Sequence, residues 1–84
     1  MGGIVMAWVK YNNDGLVNLD KIIDIDIVKV QDEEGNYIYD LRFYNGENYS
    51  FKRYTSLEEC MRAFEHLTKW LSLGVRFIDI TSVS

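Results

Sequence analysis

Proline is absent from this chain of 84 residues, and cysteine and histidine occur once each, as Cys60 and His66. Without proline the chain lacks the usual stiffener of linkers and the usual blocker of sheet edges. A lone cysteine cannot close an intramolecular disulfide, and secreted domains of this size ordinarily carry several. A lone histidine with no Cys or His companion is not a zinc site. No apolar run approaches the ~20 residues of a membrane span. The stretch "MGGIVMAWVK" (1–10) lacks both the basic lead and the long apolar run of a signal peptide. Met6 stands where N-myristoylation needs Ser or Thr. Basic residues are scarce too: nine Lys and Arg against thirteen Asp and Glu leave a net charge of −4. Phosphate neutralisation needs a basic stripe, so nucleic acid is not an expected partner. The expectation is a soluble, cytoplasmic protein with no membrane partner.

What the chain does have is core material. It is 48% hydrophobic and 14% aromatic, enough for a single domain spanning 1–84. A chain this short still buries only roughly 60–65% of its unfolded surface, so association would add stabilising contact. Turn signals at "YNNDGL" (11–16), "QDEEGNY" (31–37) and "YNGENY" (44–49) separate runs rich in Ile, Val, Tyr and Phe, which favour strands. The Asn45-Gly46 step predicts a tight type I′ hairpin. Strands are expected at about 4–10, 22–30, 37–44 and 48–53, with "LVNLDK" (16–21) a bend leading into the second. The third and fourth alternate apolar and polar residues, as in an antiparallel sheet covered on one side.

The period then changes. "YTSLEECMRAFEHLTKWLSLG" (54–74) carries Leu57, Cys60, Met61, Phe64, Leu67 and Leu71 at helical spacing. Ser56 or Thr55 supplies the cap with Glu59 or Glu58 three residues on, and Gly74 supplies the stop. "VRFIDI" (75–80) reads as a short strand followed by a frayed tail. The expected fold is α+β: a four-stranded antiparallel meander, one amphipathic helix packed on it, and a short C-terminal strand, in the order β-β-β-β-α-β.

Three constellations invite a chemical reading. In "DKIIDIDIVKV" (20–30), Asp24 and Asp26 could ligate a divalent ion with Asp20, as in a metal-dependent hydrolase. On a strand, however, they share a wet face opposite Ile23, Ile25 and Ile27, and two strand carboxylates fall short of a hard-cation shell. No metal and no cofactor is therefore expected. Cys60 and His66 are six residues apart on one helix and face different ways, so they make no nucleophile–base pair. Phosphate-loop, dinucleotide and nucleophile-elbow motifs are absent, and no catalytic residue is assigned; the chain reads as a non-enzyme. The tyrosine-rich third and fourth strands, with Arg42, Tyr44, Lys52 and Arg53, offer an alternative small-ligand or nucleotide platform. Cross-strand aromatic pairing accounts for the same residues structurally.

One feature exceeds the needs of a core. Ala63, Trp70 and Leu73 form a second apolar strip beside His66, and Val75 and Phe77 follow it. Exposed apolar strips on small proteins mark contacts. The strip is expected to serve self-association, as a homodimer, or another protein partner.

"AWVKYNNDGLVNLDKI" (7–22), the meander after it and "YTSLEEC" (54–60) together resemble a class of short uncharacterised proteins of Firmicutes and their phages. That class pairs a W-[IV]-x-x first strand with a Y-[ST]-[ST]-x-E-E helix opening. The resemblance implies no catalytic residues; it implies a phage, plasmid or mobile-element origin and action by binding.

Overall fold

The computed structural model describes residues 6–83. The elements run β1 (Trp8–Asn12), β2 (Gly15–Asn18), a 3-10 turn (Leu19–Lys21), β3 (Asp24–Gln31), β4 (Tyr37–Tyr44), β5 (Tyr49–Tyr54), α1 (Leu57–Ser72) and β6 (Phe77–Asp79). The fold is α+β with one long helix among the described residues, and that helix is not long and apolar enough to cross a membrane. The strands do not form one four-stranded meander. They form two three-stranded sheets, β2-β1-β6 and β3-β4-β5.

The difference arises between residues 11 and 22. The chain reverses at Asn13-Asp14, and β2 pairs antiparallel with β1, Val17 opposite Val9. Gly15 is needed there, because a Cβ would lie 2.5 Å from the ring of Tyr11. The Asn18 side chain then accepts from the Asp20 amide at 3.0 Å and starts the 3-10 turn that carries the chain into the second sheet. The bend expected at 16–21 is present, but its first half is a strand in its own right. Of the first expected strand, Ile4 and Val5 lie outside the described residues.

The second sheet follows its turn chemistry with one departure. Asp24 pairs with Tyr44 and Gln31 with Tyr37 across β3 and β4; Tyr44 pairs with Tyr49 and Tyr39 with Tyr54 across β4 and β5. The Asn45-Gly46 turn is not type I′, which needs positive φ at both positions. Only Gly46 has it, at 100°. The Asn45 side chain instead accepts from the amides of Glu47 and Asn48 at 2.9 and 2.8 Å, closing a longer loop. Such side-chain capture is the ordinary competitor of a two-residue turn.

Both sheets and α1 share one core. Val9, Val17 and Ile78 meet Leu41, Phe43 and Tyr54, with Cys60, Ala63 and Leu67 from α1 and Ile80 beyond β6. The buried stripe of α1 is thus centred on Cys60, Ala63 and Leu67. Leu57 and Met61, expected in it, are exposed. Ala63 projects only a methyl group, so its turn of helix lies close against the sheet and the longer side chains move to the flanks. Ser56 is the cap: its Oγ accepts from the Glu59 amide at 3.2 Å, and its hydroxyl donates to Glu59 Oε1 at 3.1 Å. The tail is tied rather than frayed. Asp79 Oδ1 accepts from both the amide and the hydroxyl of Thr81, and Val83 packs on the core.

Candidate functional site

The end of α1 builds the site. Leu73 caps the helix, Gly74 takes φ 78°, and the Gly74 and Val75 amides donate to the carbonyls of Leu71 and Trp70 at 3.0 and 3.1 Å. This is the paired-bond Schellman ending, which brings the second residue past the cap back toward the last turn. Val75 is therefore placed beside Trp70. The chain next enters β6, which pairs parallel to β1: Phe77 opposite Trp8, Ile78 opposite Val9, Asp79 opposite Lys10. Ile78 and Ile80 point into the core, so Phe77 and Asp79 point out.

The result is an open groove of about 240 Å³ lined by His66, Trp70, Val75, Phe77, Ile78 and Asp79. Phe77 is 55% exposed and Leu73, at the rim of the helix end, 63%. Trp70 is half-buried against the core, and its indole Nε1–H donates to His66 Nδ1 at 3.2 Å. His66 is half-buried and holds the indole. At the groove's far end the Asp79 carboxyl is held below the usual carboxylate range by the Thr81 hydroxyl and then its amide.

Of the residues singled out as a contact strip, the structure brings Trp70, Val75 and Phe77 to one groove with Leu73 near it. Ala63 does not belong there: it is fully buried under the sheets and has no surface to offer. Trp8 belongs to this surface and was missed. It shares the outer face of the small sheet with Phe77, a pairing that depends on a parallel contact between residues far apart in sequence.

The alternative platform does not assemble as one cluster. Lys52 is opposite Leu41 and so projects on the core side, whereas Arg42, Tyr44 and Arg53 share the other face of the sheet. There Asp40, 1% exposed, receives Arg53 Nε and Nη2 at 2.8 and 2.9 Å, with Arg42 at 3.8 Å. The hydrogen bond to Asp40 holds the Arg53 guanidinium even further above its ordinary pKa. Tyr44 stacks on Tyr49 at 4.7 Å, and Arg42 lies over Tyr49 at 5.2 Å. These cations are consumed within the sheet, which stiffens that face.

Asp24 and Asp26 are exposed on the face opposite Ile25 and Ile27, while Ile23 is 72% exposed rather than under the helix. No three His, Cys, Asp or Glu side chains among the described residues converge to hold a metal. Cys60 is buried, and burial pushes its thiol up to about 11, the reverse of what a nucleophile needs. Comparison with known protein families, characterised proteins and solved structures finds no match to this chain.

Proposed function

We propose that this protein is a non-enzymatic binding module that self-associates as a homodimer through the surface formed by the end of α1 and β6. The observation that carries the reading is the placement of Phe77, 55% exposed, beside a half-open groove lined by His66, Trp70 and Val75. An aromatic side chain next to a pocket of matching chemistry suits a two-fold contact, in which each copy inserts its ring into the other. Trp8 on the same sheet face and Leu73 at the rim extend the apolar area. β6 has three residues and stands at the edge of its sheet, which leaves a second copy room to approach.

The test is the mass in solution of the wild type and of Phe77→Glu. The charge falls on an exposed position, so the variant keeps its fold while the contact is lost. The expected result is a dimer for the wild type and a monomer with unchanged melting temperature for the variant. A wild type that stays monomeric at millimolar concentration contradicts the proposal.

A further inference from the structure

The groove at the end of α1 contains a hydrogen bond that only one charge state of histidine permits. Trp70 lies one turn after His66, and its indole Nε1–H donates to Nδ1 at 3.2 Å. The indole turns its edge to the imidazole, with ring centres 5.7 Å apart and planes at 64°. An indole nitrogen donates and never accepts, so the bond needs a lone pair on the imidazole. The imidazolium has none. Both its ring nitrogens carry protons, and turning the ring over only exchanges one donor for the other. Its charge would also face the positive edge of the indole. Protonation of His66 and retention of this bond therefore exclude each other.

The charges around the imidazole decide where it goes once protonated. Among the described residues, Asp79 on β6 is the only other charged group lining the groove. Its Oδ1 accepts from the amide and the hydroxyl of Thr81 at 2.8 and 2.6 Å, which holds the carboxyl below its usual range and ionised wherever histidine titrates. On β1, Lys10 stands opposite Asp79 and adds to the field on it. On α1, Arg62 is one turn before His66, with its guanidinium 3.7 Å from Glu58, and Lys69 lies over the Trp70 ring at 5.9 Å. Glu59, two turns before His66, takes the Ser56 hydroxyl. Arg76, in the link from α1 to β6, is exposed and does not line the groove. The nearer cations disfavour an imidazolium that stays on the helix face, and Asp79 attracts it across the groove.

We infer that His66 is an acid-sensitive latch: its protonation frees the Trp70 indole, draws the imidazolium toward Asp79, and so dismantles the pocket that receives Phe77 of a second copy. The inference rests on the self-association proposed above and adds its regulation. The sign follows from the bond. Association is complete where His66 is neutral and is lost as pH falls through the histidine range, about pH 8 to 5. Each dimer loses two such bonds, equivalent to about a ten- to hundredfold rise in its dissociation constant.

Two readouts across that range test the latch: the indole ¹H–¹⁵N resonance of Trp70 in dilute, monomeric protein, and the dimer dissociation constant by analytical ultracentrifugation. The indole resonance is expected to move with the same midpoint as the His66 ring protons, and the dissociation constant to rise by the stated factor. His66→Gln keeps an amide oxygen to accept the indole proton but has no charge to gain, so it should remove the pH dependence of both. Asp79→Asn, a change at an exposed position, should move both midpoints to lower pH. An indole resonance that stays in place while His66 titrates, or midpoints unmoved in Asp79→Asn, overturns the inference. A dimer equally tight at both ends of the range overturns it too, and leaves the dimer standing. A protein that is monomeric throughout sinks the dimer instead, and the indole resonance still decides whether His66 releases Trp70.

Discussion

The indole Nε1–H of Trp70 donates to Nδ1 of His66 one helical turn earlier, at 3.2 Å, with the two rings edge to face at 5.7 Å. An indole can only donate, so Nδ1 must carry a lone pair and the imidazole proton must sit on Nε2. The bond fixes the indole on the groove side of α1. Long-range ¹⁵N–¹H correlation spectra should show His66 as the Nε2–H tautomer near neutral pH. His66→Ala should cost about 0.5–1.5 kcal/mol, the net worth of one such bond, and should alter Trp70 fluorescence.

Gly74 is where helix geometry becomes site geometry. Its φ of 78° suits glycine, and alanine there costs about 1–2 kcal/mol. A Cβ at Gly74 would meet no atom within 4 Å, so the cost comes from the backbone alone. Gly74→Ala should lower the unfolding free energy measured by urea denaturation by that amount. It should also weaken self-association by displacing Val75 and Phe77 relative to Trp70.

The fork of Arg53 on Asp40 predicts an asymmetric mutational response. Asp40 is buried and takes two short bonds from Arg53 but only a 3.8 Å approach from Arg42. Removing Arg53 leaves a buried carboxylate without its main partner, which is the costly way to break such a pair. Arg53→Ala should therefore destabilise more than Arg42→Ala. The excess should vanish in an Asp40→Val background, where it no longer has a charge to strand. Urea denaturation of each arginine variant and its parent, in the wild-type and the Asp40→Val backgrounds, measures it.

Alkali should weaken the fold through Cys60 and Tyr54. Burial raises both, the thiol to about 11 and the phenol well above its ordinary range, with negative charge nearby, on Asp40 for Cys60 and on Cys60 and Glu59 for Tyr54, adding to the effect. The phenol oxygen also has no hydrogen-bond partner among the described residues. A raised acid contributes its full stability below the unfolded-chain value, about 8.5 for cysteine and 10 for tyrosine, and loses it as pH rises. The Cys60 share should therefore disappear up to about pH 11. Cys60→Ala should flatten the pH–stability curve in that window, and a thiol reagent at pH 8 should react only after unfolding.

Much of the fold was legible because its signals are local. The hydroxyl cap at Ser56, the stop at Gly74 and the period-2 alternation of β4 and β5 each follow from a few neighbouring residues. The two-sheet division was not legible. It depends on Gly15 fitting under Tyr11 and on β6 pairing with β1 across most of the chain. Leu73, Val75 and Phe77 could be picked out because a strip apolar beyond the needs of a core stands out in the sequence. Ala63 was misplaced, since periodicity gives the angle between side chains but not the rotation of the helix on its sheet.

The central claim is that two copies meet at Phe77 and the Trp70 groove. Its most direct test is an isotope-filtered NOE experiment on a mixture of ¹³C-labelled and unlabelled chains at high concentration. The account predicts intermolecular contacts from the Phe77 ring to Val75 and Trp70, lost in Phe77→Glu. Intermolecular contacts confined to other surfaces such as β3, or none at millimolar concentration, would contradict it.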